Sequence, residues 1–213
     1  MSAEETRGAQ TGAAQTPLLR IEDLSVGFQV AGGEVIPADV VVVGVGILAN
    51  VELAAAAGLK VEDGIVVDEI CRTEDADILA IGDCTRHPNG IYGRALRLES
   101  VHNALEQAKT ASATLTGNLK AYAQVPWFWS DQYDLKLQIA GLSQGHDTIV
   151  VRGNPEEGRS FAVFYLKGGV LSAVDAVNRP MEFLMARQLI ATHTEIAPAR
   201  LADETINMKQ IAG

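Results

Sequence analysis

The stretch at residues 40–50, which reads VVVVGVGILAN, limits the fold of this chain more than any other segment. The β-branched run at residues 39–43 predicts a strand covered on both faces, as in a parallel α/β sheet. A G-x-G-x-x-A turn follows, with Asp68 downstream where a ribose-binding acid is expected, so the spacing meets a dinucleotide-binding fingerprint. The alternative is structural: two glycines after a buried strand let the chain pass close to its neighbour.

The helix after this turn is too short for the first unit of a nucleotide-binding domain. Asn50 can cap it, and Gly58 ends it, which leaves residues 51–57. Two turns at 1.5 Å per residue span roughly 10 Å, which does not carry a chain across a sheet. A phosphate cradle at Gly44 and Gly46 is therefore the less favoured interpretation.

The first half of the chain otherwise predicts an α/β segment. Strands are expected at residues 24–30, 34–36, 64–67 and 78–81, with a hairpin turn at 31–33. A loop with Pro88, Asn89, Gly90 and Gly93 precedes a helix of about 17 residues, capped by Ser100 and ended by Gly117. Its apolar positions are Val101, Ala104, Leu105, Ala108 and Ala111.

After a boundary at residues 117–124, the pattern changes to an antiparallel meander. Strands are expected at residues 127–129, 135–140, 148–152, 161–166 and 170–177, and helices at 181–192 and near Pro198. The predicted fold class is thus α/β plus α+β. We expect a mobile N-terminus at 1–17, an α/β region at 18–120 and an α+β domain at 121–213.

Composition excludes several functional classes. A net charge of −10 argues against nucleic-acid binding, and no apolar run approaches the length of a membrane helix, so a cytoplasmic protein is expected. Cys71 and Cys84 lack the spacing of a zinc or redox motif. Residues 84–98 carry Arg86, Arg94 and Arg97 and no acid; this basic segment suits either a solvated loop or docking of an acidic partner.

Two segments are candidate binding sites. In TEDADILAIGDCT, Gly82 and Asp83 follow a predicted strand, where a carboxylate can bind ligand hydroxyl groups, although Asp83 can also merely cap a loop. In LESVHN, Ser100 opens a helix whose free N–H groups and positive dipole end can stabilise an anionic group. The alternative for Ser100 is an ordinary helix cap.

These segments resemble the FAD-dependent NAD(P)H:ferredoxin reductases of oxygenase systems, the group of putidaredoxin, rubredoxin and biphenyl-dioxygenase ferredoxin reductases. The residues from 73 to Asp83 resemble that family's second FAD motif, which implies that Gly82 and Asp83 lie at the ribityl chain. RLESVHNALEQA resembles the helix facing the flavin, which implies cofactor contacts for Ser100, Val101 and His102. VPWFWSDQYDLKLQIAGL resembles the start of the family's C-terminal domain, with Trp127 and Trp129 beside the flavin.

The resemblance implies a ferredoxin-reductase-like protein that spans the C-terminal half of the family pattern. Stretch 40–50 then corresponds to the point where the chain leaves the nicotinamide domain for the flavin domain, and Ala49-Asn50 stands where the family has Pro-Asn. A counterpart of the family's N-terminal FAD-binding unit is not found, so a truncated protein is expected. The implied parent chemistry passes electrons from NAD(P)H through FAD to an acidic iron–sulfur ferredoxin, docked on Arg86, Arg94 and Arg97.

Two alternatives stay open. The first is a non-catalytic module that binds partners or forms homo-oligomers through exposed sheet edges and apolar patches. The second is a hydrolase that uses an emptied cofactor cleft, with Ser100 or Ser130 as nucleophile and His102, His87 or His146 as base. No G-x-S-x-G turn supports the hydrolase.

Overall fold

The computed structural model describes residues 42–212, and the chain divides into two units, Met1–Gly46 and Ile47–Gly213. In the described part of the first unit there is no regular secondary structure, and Val42 and Val45 are 91% and 90% exposed. The strand predicted at 39–43 is therefore not formed at its two described positions, Val42 and Val43. The predictions for 1–17, 24–30, 31–33 and 34–36 lie outside the described residues.

The second unit begins with a short helix and a small sheet. Helix α1 (Glu52–Ala56) has Val51 as its N-cap rather than Asn50, and no side chain caps it. Strands β1 (Ile65–Val66), β2 (Thr85–Asn89) and β3 (Arg94–Arg97) lie in the order β1-β2-β3. β1 pairs parallel with β2, whereas the strand predicted at 78–81 is reduced to one bridge between Arg72 and Leu79.

The segment predicted as a loop around Pro88 and Gly90 is instead the β2–β3 hairpin. The Asn89 side chain builds its turn, because Oδ1 accepts the N–H groups of Ile91 at 3.0 Å and Tyr92 at 3.3 Å. Gly93 completes the turn with a φ of 61°. The prediction of a turn at these residues is correct. The two flanking strands form through hydrogen bonds to each other, and the turn residues alone do not indicate this pairing.

Helix α2 (Val101–Leu115) follows Ser100 as predicted, but it buries a different face. Of the five apolar positions that define it in the sequence, only Ala111 is buried, and Val101 and Leu105 are 56% and 57% exposed. The buried residues are mostly polar: His102, Asn103, Gln107, Thr110, Ala111 and Thr114.

The α+β domain matches its predicted architecture. Strands β4 (Trp127–Gln132), β5 (Leu135–Gly141), β6 (Thr148–Arg152), β7 (Phe161–Lys167) and β8 (Val170–Val177) form one antiparallel sheet in the order β4-β5-β8-β7-β6. Burial alternates along β7, as expected for a sheet with one covered face. The predicted helices are α3 (Pro180–Ala191) and α4 (Pro198–Ala202), and α5 (Met208–Ala212) was not foreseen.

Helix α3 covers the sheet and closes the core. Phe164 and Val174 are fully buried, and Leu189 and Ile190 are 1% exposed in the same cluster. Burial of such side chains contributes about 1.5–3 kcal/mol each relative to exposure. Within residues 42–212, none of the helices combines the length and apolar character needed to cross a membrane.

Candidate functional site

The N-terminus of α2 presents free backbone donors. Ser100 is extended, and its Oγ accepts the Asn103 N–H at 3.1 Å, so the predicted cap is formed. The amides of Val101 and His102 have no acceptor among the described residues, and the first turn contains no acidic residue. Such a helix end carries a partial positive charge and suits an anionic or electron-rich group.

The Gly82–Asp83 turn is tied to the same helix. Gly82 has a φ of 85°, and its N–H donates to Oε1 of Gln107 on α2 at 2.6 Å. The Thr85 hydroxyl donates to the same oxygen at 3.0 Å. Asp83 is exposed, and its carboxylate has no hydrogen-bond donor among the described residues. The carboxylate can therefore accept hydrogen bonds from a ligand.

Gln107 is the centre of a buried polar cluster that sequence reasoning missed. It is fully buried, and its Nε2 lies 3.1 Å from Nδ1 of His87. Burial lowers the pKa of His87 to about 4, so the imidazole is neutral at pH 7 and can accept this hydrogen bond. The His87 ring packs edge-on against Tyr122, with the centroids 4.8 Å apart.

Tyr122 extends the cluster to the first turn of α2. Its hydroxyl donates to Oδ1 of Asn103 at 3.0 Å, and Nδ2 of Asn103 donates to the Leu98 carbonyl at 3.1 Å. Burial raises the pKa of Tyr122, which keeps the hydroxyl protonated. The cluster therefore holds the start of α2 in place. A run of polar residues at helical spacing on the buried face is the one sequence signal that could have revealed it.

Aromatic side chains border the other side of the α2 N-terminus. The centroid of the His102 ring lies 5.3 Å from that of the Trp127 ring, and the Trp127 centroid lies 5.4 Å from that of Trp129 on the same strand. Trp129 and its neighbour Phe128 are 40% and 45% exposed. Burial and the nearby Arg187 guanidinium lower the pKa of His102, whose Nδ1 is buried without a partner among the described residues.

The predicted cofactor-binding residues therefore lie on three segments, each of which contacts the next: the Gly82–Asp83 turn, the start of α2 and strand β4. Gln107 links Gly82 and Asp83 to α2, and His102 links α2 to Trp127 and thereby to Trp129. A depression of about 150 Å³ lies between Ser100 and Trp127. Val101 is exposed beside it at the start of the helix.

Two of the three arginines in the basic segment form ion pairs with carboxylates, so the segment presents less unpaired positive charge than its sequence indicates. Arg86 lies 3.5 Å from Glu62, and Arg97 lies 3.1 Å from Asp63 and 2.7 Å from Glu99. These carboxylates come from outside the segment or from its border. Arg94 instead donates to the Gln144 side chain at 2.8 Å and has no carboxylate partner among the described residues.

The residues of the hydrolase alternative are not paired. Oγ of Ser100 accepts a backbone amide, Ser130 accepts from Gln132, and His146 contacts the Ser143 carbonyl. No hydrogen bond between residues 42 and 212 joins a serine hydroxyl to a histidine ring. A nucleophile and its base normally lie within hydrogen-bond reach, so this geometry does not support Ser100 and His102 in those roles.

Comparisons with known proteins find similarity over two regions of the chain. Residues 12–108 match the family described as pyridine nucleotide-disulphide oxidoreductase, and residues 127–212 match the one described as reductase C-terminal. Putidaredoxin reductase from Pseudomonas putida is 47% identical over 84% of this chain and 42% of its own length. Rhodocoxin reductase from Rhodococcus erythropolis is 48% identical over 87% of this chain and 43% of its own length.

Solved structures give the same result. A ferredoxin reductase from Rhodopseudomonas palustris superposes with a TM-score of 0.79 at 44% identity, covering 86% of this chain and 45% of that one. The reductase in the covalent putidaredoxin reductase–putidaredoxin complex superposes with a TM-score of 0.78 at 47% identity, covering 84% and 43%. The chain thus spans less than half the length of these relatives. Its first region matches the pyridine nucleotide-disulphide oxidoreductase family, its second region matches the reductase C-terminal family, and across both regions the chain is similar to ferredoxin reductases.

Proposed function

We propose that this chain provides the flavin-facing and partner-facing parts of a ferredoxin-reductase-type electron-transfer protein, with FAD as cofactor and NAD(P)H as electron donor. The observation that carries the proposal is the N-terminus of α2, whose first amides have no acceptor within residues 42–212 and lie between the Gly82–Asp83 turn and the Trp127–Trp129 pair. The similarity to ferredoxin reductases supports the same conclusion.

The residues present fit FAD. When bound, FAD accepts two electrons with a proton from a nicotinamide and releases electrons one at a time. The exposed Asp83 carboxylate would accept hydrogen bonds from the ribityl hydroxyl groups. The α2 amides would stabilise negative charge on the ring, and His102 adds no positive charge because burial lowers its pKa. Trp127 and Trp129 would exclude water from the ring.

Reconstitution with FAD tests this proposal. The purified chain, mixed with FAD and desalted, is expected to keep flavin absorbance between about 350 and 500 nm. Asp83→Asn removes an acceptor charge, so FAD should bind about threefold to tenfold more weakly. Glu157→Gln, an exposed charge change between β6 and β7, is the matched control and should bind FAD like the wild type. A chain that retains no flavin would contradict the proposal.

We also propose that the partner is an acidic ferredoxin and that Arg94 contributes most to docking, because Arg86 and Arg97 are paired with carboxylates. Arg94→Glu should slow association with an acidic ferredoxin, measured by surface plasmon resonance, and weaken its salt dependence. The control is Arg159→Glu, which changes an exposed arginine in the connection between β6 and β7 that is paired with Asp134. Equal association rates for both variants would exclude a dominant role for Arg94.

A second candidate function is self-association, favoured by the outer face of α2. Val101, Leu105 and Leu115 are 56%, 57% and 75% exposed, and their spacing puts them on one side of the helix. A second copy of the chain could cover this apolar face.

The free thiols of Cys71 and Cys84 fit a reducing compartment, and we propose a cytoplasmic protein on that ground.

A further inference from the structure

A second cleft, separate from the α2 N-terminus, has a volume of about 530 Å³. Its walls come from the turn of the β2–β3 hairpin, the connection after β5, the β7–β8 turn and the end of α3. None of the residues assigned to FAD lines it. Its volume is typical of sites for small molecules, which occupy about 300–1,000 Å³.

The walls are held together by the hydroxyl of Tyr92. It donates to the Ser172 carbonyl at 2.9 Å and accepts the Leu142 N–H at 2.8 Å, which joins the hairpin to β8 and to the residue that follows β5. Burial raises the pKa of Tyr92 to about 12, so both hydrogen bonds persist at neutral pH. Gly141 has a φ of 78°, and a Cβ there would collide with the Ser172 carbonyl and the Tyr92 hydroxyl. The cleft is therefore preformed.

The cleft is lined by both apolar and basic side chains. The apolar ones are Ile91, Val170, Leu171 and Ile190, of which Leu171 and Ile190 belong to the buried core. The basic ones are Arg94, Lys167 and His193, and Gln144 also lines the cleft. No aspartate or glutamate between residues 42 and 212 lines the cleft. Such a lining suits an anion that also carries an apolar body.

The two permanent cations are available to such a ligand. Arg94 donates to Gln144, and neither Arg94 nor Lys167 forms an ion pair with any acid within the part of the chain that the structure describes. The neighbouring carboxylate of Asp147 is occupied by the Gly168 N–H at 2.7 Å and the Thr148 hydroxyl at 2.9 Å. An unneutralised guanidinium and ammonium at one cleft provide directional hydrogen bonds to a carboxylate.

We propose that this cleft binds a small organic carboxylate, with its charged group at Arg94 and Lys167 and its apolar body against Val170, Leu171 and Ile91. The site is independent of the flavin, because its lining residues do not include the α2 N-terminus or the Gly82–Asp83 turn. It shares Arg94 with the proposed ferredoxin-docking surface, so Lys167, which belongs to the cleft alone, is the residue that separates the two proposals.

Isothermal titration calorimetry on the full chain tests the site, with 1-naphthoate as the probe. The neutral analogue 1-naphthalenemethanol should bind at least about tenfold more weakly than 1-naphthoate. Inorganic phosphate should also bind more weakly, because it lacks the apolar body. Lys167→Met and Arg94→Met should each weaken 1-naphthoate binding about threefold to tenfold. Lys136→Met, at the opposite end of β5 from Gly141, is the matched control and should bind like the wild type.

Amide chemical shifts locate the ligand. Titration with 1-naphthoate should move the resonances of Gly145, Lys167 and His193 and leave those of Ser100 and Trp129 in place. Equal binding of 1-naphthoate and its neutral analogue, or unchanged binding after Lys167→Met, would overturn the proposal. Shifts centred on Ser100 would overturn it as well, since they would assign the ligand to the flavin-facing surface. Lys167→Met leaves Asp83 and α2 intact, so this result does not depend on FAD binding.

Discussion

At the scale of single residues, Gln107 connects the candidate site more directly than any residue chosen from the sequence. One side-chain oxygen accepts from both Gly82 and Thr85, and the amide nitrogen faces His87. Leaving a buried donor or acceptor unpaired costs about 1–3 kcal/mol, so each member of this cluster depends on the others. The protonation state of His87 is the most accessible probe of that dependence.

The pKa of His87 predicts a loss of stability in mild acid. Burial lowers this pKa from its ordinary value of 6.5 to about 4. Between these values the unfolded imidazole binds a proton that the folded one does not, so the free energy of unfolding falls as the pH drops from about 6.5 to 4. The loss is up to about 3 kcal/mol for this group alone.

Urea unfolding as a function of pH measures this contribution. His87→Asn keeps a polar side chain beside Gln107 but cannot titrate, so its stability curve should be flatter than that of the wild type between about pH 6.5 and 4. His193→Asn changes an exposed histidine and is the control. Parallel curves for the wild type and His87→Asn would show that His87 is protonated equally in the folded and unfolded states.

At the scale of secondary-structure elements, Arg152 at the end of β6 attaches the C-terminal helices to the sheet. Its guanidinium lies 3.3 Å from the buried Glu182 carboxylate on α3. It also donates to the carbonyls of Leu201 at 3.1 Å, Asp203 at 2.7 Å and Ile206 at 2.8 Å. One side chain thus fixes α4 and the segment that leads to α5, which explains how these short helices remain in place.

Removal of this side chain should be costly. Arg152→Met leaves Glu182 buried with, among residues 42–212, only the partly exposed Arg179 as a counter-ion, so the free energy of unfolding in urea should fall by about 3–5 kcal/mol. Arg159→Met breaks an exposed pair with Asp134 and should cost less than about 1 kcal/mol. Adding Glu182→Met to Arg152→Met should restore part of the loss. Equal effects of the two arginine substitutions would contradict the anchoring role.

The same elements show what sequence reasoning could and could not predict. The strands of the five-stranded sheet follow from alternating apolar residues, and the cap at Ser100 follows from local chemistry, so both were predicted. The β2–β3 hairpin was missed because its strands depend on cross-strand pairing between residues that separately resemble a loop. Gln107 was missed because its partners Gly82 and Thr85 lie 25 and 22 residues away in the chain.

At the scale of the whole molecule, the distribution of apolar residues is the least expected feature. The buried face of α2 is polar, while its outer face carries Val101, Leu105 and Leu115 in contact with solvent. Helical periodicity identified the helix correctly but could not tell which face the rest of the chain covers. An apolar helix face of this kind gains free energy when a second surface covers it.

Sedimentation velocity over a range of concentrations tests the proposed self-association through this face. We expect the wild-type sedimentation coefficient to rise with concentration. Leu105→Lys preserves helix propensity but adds a charge to the face, and loss of one buried leucine should weaken association at least about tenfold. Leu184→Lys, at a 47% exposed position on α3, is the matched control. If Leu184→Lys reduces association as much as Leu105→Lys, the contact does not lie on α2, and a constant monomeric coefficient for the wild type excludes self-association through this face.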